Sequence, residues 1–360
     1  MLERWVLTVR AEMSSAWPIA LLDLRRATSR QDVVRWAVTV SVAAAVLLLN
    51  GDRLAELLGP GRSVLTQAIV TGLLIGGVYS LVSMGLTLIF GVLHIINFAH
   101  GALMTLGMYT AFSLVAQMGF DPYATIVVTV GLLLVTGAAV QKLLINRIMH
   151  ETLEKKLLLT LGLAIFIENL LLVVFSPTPR AIQLTYDSGS LSLAGLEISW
   201  PFRVFGAVAT FPRTVAFVGA LVLAGLLFLL LRRTKLGTAI RAVAENPRGA
   251  ALVGINVPQI YMLAFALGTA CVGAAATLVL PFLSLEPTTG DAFNIIAFVV
   301  VVLGGMGNVI GALLGGLLIG VTQQVGGVVF PDQSNLLAVF ILFVLALYLR
   351  PEGLLGKAKA

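Results

Sequence analysis

The 360 residues are 59% hydrophobic and 11% charged, with a mean hydropathy of +1.02. That excludes a soluble globular domain, in which about 25% of residues are charged, and implies a polytopic membrane protein. One cysteine, Cys271, excludes a disulfide framework, a cysteine metal cluster and a redox pair; the net charge of +6 sits in loops without interleaved aromatics, so it reports membrane orientation and not nucleic-acid binding.

In chain order, residues 1–35 carry six arginines against four acidic residues, with tryptophans interspersed, and read as a cytoplasmic, interface-lying segment. They lack the apolar core and small-residue cleavage site of a secretory signal. Apolar runs follow at 33–50, 64–85, 100–116, 123–141, 157–175, 214–231, 258–281, 292–304, 309–329 and 336–349. This predicts an all-α, polytopic transmembrane helical bundle of about ten spans, some of them short or broken. Of the 23 basic residues, 18 fall in 1–35, 142–156, 232–248 and 350–360, and five in the opposite loops. The asymmetry predicts that both termini are cytoplasmic.

The stretch GVLHIINFAHGALMTLG, residues 91–107, places His94, Asn97 and His100 within apolar sequence. Their spacing of three predicts one helical face. Gly91, Gly101 and Gly107 predict interruption of that face, as where membrane helices break around a substrate route. A hydrogen-bonded kink without a ligand is the alternative. Glu168 is the only carboxylate within an apolar run, and Asn169 is its expected hydrogen-bond partner. Either the pair marks a functional polar site or Glu168 is a neutral acid bonded to a neighbouring helix. The segment 176–213 alternates near Leu191–Ile198 and predicts a short outer hairpin or helix.

Residues 232–257 form the longest basic loop between spans. Ala239–Ala244 continue a helix that Pro247 ends, and Arg248–Val253 make one small-residue turn before Gly254. This is either a surface for the groove of a soluble partner or an amphipathic connector. Further on, VLGGMGNVIGALLGGLLIG contains two Gly-x-x-x-Gly registers, 311–315 and 316–320, expected at close helix contacts. Gly304, Gly305 and Gly307 before Asn308 predict a second unwound element, matching that at Asn97 and needing partners for its freed backbone groups.

Three ordered segments, GLTLIFGVLHIINFAHGALMTLGMY, ENPRGAALVGIN and VLGGMGNVIGALLGGLLIG, resemble the LivH-type permease of branched-chain amino acid ABC importers over residues 64–356. The resemblance implies a permease domain at 61–356; residues 1–60, read as an amphipathic extension and one extra span, precede the usual family start and receive no role from it. It implies a bacterial inner-membrane protein pairing with a second permease as a heterodimer, with two cytoplasmic ATPase subunits and a periplasmic solute-binding protein, all within membrane lipid. By the resemblance, Arg241, Glu245, Asn246, Ala250, Ala251 and Gly254 serve ATPase coupling. Independently of the resemblance, the polar residues and glycine breaks place His94, Asn97, His100, Gly101, Gly304, Gly305, Gly307 and Asn308 on the expected translocation path. The cargo the resemblance implies is branched-chain amino acids, with urea, short amides or other amino acids as alternatives.

The chain has no nucleotide-binding Gly-x-x-x-x-Gly-Lys-Ser/Thr and none of the common hydrolase or metalloprotease motifs, so no catalytic residue, cofactor or metal is expected. An ion-coupled secondary transporter is the alternative, since broken helices and Glu168 also suit ion coupling.

Overall fold

The computed structural model describes residues 61–350 apart from 183–189, 194–195, 200, 205 and 331–334, together with Gly353 and Leu355. The described residues belong to one compact unit, Pro60–Ala360. The predicted span at 33–50 lies outside them.

Eleven helices are described: α1 (Arg62–Leu93), α2 (His100–Met118), α3 (Ile126–Leu143), α4 (Leu153–Phe175), α5 (Phe211–Arg233), α6 (Lys235–Glu245), α7 (Pro247–Leu252), α8 (Val257–Val279), α9 (Thr289–Gly304), α10 (Val309–Val329) and α11 (Asn335–Leu349). Seven are long and apolar enough to cross a membrane, and α9 and α11 are shorter apolar helices. Between α4 and α5 run two antiparallel hairpins, β1 (Ser190–Leu193) with β2 (Leu196–Ser199) and β3 (Phe202–Val204) with β4 (Ala207–Ala209). The alternation at 191–198 becomes the first of these, with Leu191 opposite Ile198.

The helix ends follow from local chemistry. Thr234, Asn246, Asn256 and Asn308 each accept a backbone N–H of the first turn that follows, which starts α6, α7, α8 and α10. Pro212, Pro247 and Pro258 occupy first-turn positions, where their missing N–H is not needed.

α1 and α8 are the most enclosed spans. α1 packs most extensively on α10 and also touches α8, α5 and α9. Glycine allows this. A Cβ at Gly72 would lie 2.6 Å from the Val321 Cα, and one at Gly85 would lie 2.5 Å from the Gly268 carbonyl, so backbones meet where side chains would hold them apart. The two glycine registers of α10 divide between partners. Gly311 and Gly315 face α9 at Gly304 and Val300, whereas Gly316 and Gly320 face α1 at Ser80 and Gly72. Thr269 in α8 donates to the Leu133 carbonyl at 2.9 Å and ties α3 to the centre. The outer faces of α3 and α4 expose Val127, Val135, Leu158, Phe166 and Val173, an apolar surface suited to lipid.

Candidate functional site

The 91–107 stretch breaks differently from its sequence expectation. α1 continues through Gly91 to Leu93, where His94 takes a left-handed conformation (φ 56°, ψ 36°) and its N–H returns to the Phe90 carbonyl at 2.8 Å. Residues 94–97 have no regular structure, and α2 starts at His100. His94, Asn97 and His100 therefore straddle a break and do not share one helical face. The spacing argument fails because a polar run at a helix end is free to leave the helix once one residue becomes left-handed.

His94 is exposed, whereas Asn97 and His100 are buried at 1% and 0% exposure. His100 Nε2 donates to the Val82 carbonyl at 3.0 Å, so α2 begins eleven residues short of the end of α1. Residues 94–99 double back along α1, the return expected of an interrupted membrane segment. Asn97 Oδ1 accepts the Ala99 N–H at 3.1 Å, while Asn97 Nδ2, His100 Nδ1, Ser83 Oγ and Thr87 Oγ1 are buried without a protein partner.

The start of α2 meets the start of α9. A Cβ on Gly290 would strike the Gly101 carbonyl and come within 2.5 Å of Thr105 Oγ1. Thr105 Oγ1 accepts the Gly290 N–H at 2.9 Å and donates to the Gly101 carbonyl at 3.3 Å. Asn294 Nδ2 donates to the Phe98 carbonyl at 3.0 Å. Two helix N-termini thus converge on one small-residue contact, an arrangement of broken transporter helices that periodicity cannot reveal. Sequence reading missed Gly290, Thr105 and Asn294, which belong to it.

Glu168 is half-buried, and the carboxylate nearest to it is Asp291 in the first turn of α9. Asn169 is not its partner: Asn169 Nδ2 donates to the Ile165 carbonyl of its own helix at 2.8 Å. Adjacent helical residues point about 100° apart, which defeats the expected pairing.

The second glycine element is a tight corner between α9 and α10. Gly305 and Gly307 have φ of 96° and 86°, conformations that side chains resist. Some of the backbone groups freed there bond within the chain. Gly305 N–H reaches the Val302 carbonyl, Asn308 N–H the Gly305 carbonyl, and Asn308 Oδ1 accepts from Ile310 and Gly311 at 3.1 Å each. Asn308 Nδ2 donates to the Leu355 carbonyl at 2.8 Å, which sets Leu355 against the corner. A Cβ on Gly304 would strike Gly311, and Gly307 lies against Gly91.

The loop 232–257 folds as α6, amphipathic with Gly237, Ile240 and Val243 buried, and α7, a turn and a half after Pro247. Arg241, Glu245, Asn246 and Ala251 are exposed, and Gly254 closes the turn with its N–H on the Ala251 carbonyl at 3.0 Å. Ala250 is 4% exposed and packs into the chain's own core, so it is no surface contact. Leu252 and Val253, which sequence reading left out, stand 89% and 78% exposed at the tip.

With this geometry in view, residues 68–348 match the family described as branched-chain amino acid transport system, permease component. The chain is 34% identical over 306 residues to the high-affinity branched-chain amino acid transport system permease protein BraD of Pseudomonas aeruginosa, covering 81% of this chain and 95% of that one. It is 27% identical over 304 residues to the corresponding protein LivH of Escherichia coli strain K12, with the same two coverages. It is 31% identical over 254 residues to a probable branched-chain amino acid transport permease protein of Methanocaldococcus jannaschii, covering 68% of this chain and 75% of the relative. No solved structure matches.

Proposed function

Since the chain belongs to the branched-chain amino acid transport permease family, we propose that it forms a passage for leucine, isoleucine and valine in an ATP-driven importer. It is a multi-pass membrane permease subunit of an ATP-binding-cassette system and not an enzyme; family membership does not favour ion-coupled secondary transport. A second permease completes the passage, two ATPase subunits dock on the basic side, and a solute-binding protein delivers cargo to the opposite side. Both termini lie in the cytoplasm, as the charge asymmetry supports.

One observation carries the coupling assignment. Between two spans, α6 and α7 fold compactly against the permease and raise Leu252 and Val253 out of it, flanked by Glu245, Asn246, Arg248 and Ala251. Two large apolar side chains held clear of their own core on a rigid helix suit insertion into a groove of a soluble partner. Closure of the ATPases moves α6–α7, and α8 relays that motion to α1. The corner of Asn97, His100 and Gly101 with Gly290 supports the route by letting α2 and α9 move on a small-residue pivot. The corner Gly304, Gly305, Gly307 and Asn308 holds α9 to α10. The exposed His94 lines the route, and Glu168, with Asp291, is a polar site on its flank.

Proteoliposomes test the reading. Leucine uptake should require ATP, both ATPase subunits, the second permease and the binding protein, and an imposed ion gradient should not replace ATP. Uptake driven by the gradient alone would overturn it.

A further inference from the structure

At the end of the bundle opposite the basic loops, α2 and the end of α4 enclose a groove of about 330 Å³. Tyr109, Thr110, Ser113, Leu114 and Phe175 are among its walls. Such a volume falls at the lower end of small-molecule sites, about 300–1,000 Å³.

One wall is an ordered aromatic stack topped by a cation. The rings of Tyr109 and Phe175 stack with centroids 4.4 Å apart. The Arg180 guanidinium lies 5.7 Å from the Phe175 centroid and 5.5 Å from that of Phe112, and one of its nitrogens donates to the Phe175 carbonyl at 2.8 Å. The Arg180 backbone is itself fixed by two hydrogen bonds to Leu285, at 2.9 and 2.7 Å. The exposed Glu286 directly follows Leu285. The Tyr109 hydroxyl in this wall is buried without a protein partner. A guanidinium positioned over one wall of an apolar groove, with a carboxylate one residue from its backbone partner, matches a molecule bearing both charges and an apolar chain.

We propose that this groove is an entry subsite for the amino-acid cargo, in which Arg180 takes the α-carboxylate, Glu286 the α-ammonium, and the groove between α2 and α4 the apolar side chain. The inference rests on the amino-acid import reading above and adds recognition by the permease itself, at the mouth facing the binding protein. Arg180 also reaches the start of α9 through Leu285, four residues before Thr289, so occupancy is felt where α9 meets α2.

The test is equilibrium binding of radiolabelled leucine to the permease–ATPase complex in lipid nanodiscs without binding protein, with leucinamide and isocaproate as competitors. Leucinamide lacks the carboxylate and isocaproate the ammonium. Unlabelled leucine should compete about tenfold or more better than either, the scale of one charge-assisted hydrogen bond. Arg180→Gln should erase the preference over leucinamide, Arg180→Lys should keep part of it, and Glu286→Gln should erase the preference over isocaproate alone. The Glu286 arm is independent of any folding role of Arg180. Leucine binding unchanged in both neutral variants overturns the subsite, as does loss of a co-purifying phospholipid from Arg180→Gln with leucine binding intact. If the wild-type importer, supplied with its binding protein, carries no branched-chain amino acid, the functional reading itself fails. Normal leucine uptake with charge-insensitive binding removes the subsite alone.

Discussion

Leu252→Asp isolates coupling from folding. Leu252 is 89% exposed, so its removal takes almost nothing from the permease core, and the melting temperature of the detergent-purified complex of permeases should be unchanged. In the proposed assembly the same side chain is buried in the ATPase. Full burial of a leucine contributes about 1.5–3 kcal/mol, which converts to an affinity loss of roughly ten- to a hundredfold when it is lost. Aspartate adds the cost of burying a carboxylate, so the upper part of that range applies. The assay titrates ATPase subunits against nanodisc-embedded permease and reads both bound ATPase and ATP hydrolysis stimulated by the loaded binding protein. The apparent affinity should fall by this factor while basal hydrolysis by the ATPase persists. Ala250→Trp provides the contrast: Ala250 is 4% exposed, so overpacking by about 1–3 kcal/mol should lower the melting temperature instead. Wild-type ATPase affinity and uptake in Leu252→Asp would refute α7 as the coupling tip, and cross-links forming from loop 142–156 while Ala251→Cys stays silent would relocate it.

Three further outcomes follow from the corners. Gly290→Ala gains about 1 kcal/mol of helix propensity but drives a methyl into the Gly101 carbonyl, an overpacking of about 1–3 kcal/mol. The melting temperature should fall, and a rise would show that α2 and α9 do not meet there. Asn97→Leu removes the acceptor for the buried Ala99 N–H, and uptake should be lost with the complex still assembled; normal uptake removes Asn97 from the route. Asn308→Ala deletes the α10 cap, about 1 kcal/mol, together with the bond to Leu355. It should lower the melting temperature and speed protease cleavage after Arg350, and an unaltered digestion rate would mean that the corner does not hold the C-terminal segment.

The described spans were legible because apolar run length is a direct physical signal. Nine apolar runs have helices within a few residues of the predicted limits, apart from α1, which outlasts its run by eight residues. Gly91 did not stop it because His94, with its left-handed backbone, did. The capping loop was readable because Asn246, Pro247 and Gly254 have local roles. The convergence of Gly101 with Gly290 was not legible, since nothing in the spacing of either residue encodes a partner 189 positions away. Nor could Glu168 be matched to Asp291, because which face of α4 meets α9 is decided by packing. At Gly304–Asn308 the chain leaves the helix only after Gly304, where Gly305 bonds Val302 and the Asn308 N–H while the Asn308 side chain bonds Ile310, Gly311 and Leu355.

The central place of α1 has a consequence for how the protein is made. Its glycine face at Gly72 and Gly76 closes against Gly316, Leu317, Gly320 and Val321 of α10, which the ribosome supplies some 240 residues later. At about 5–20 residues per second, roughly 12–50 s pass in which this glycine face lacks its permanent partner. A helix of this hydropathy can wait in lipid, but its flat glycine stripe is open to any other small-residue helix in the same membrane. Co-expressing α10 as a separate chain should therefore interfere with biogenesis while leaving the finished importer untouched.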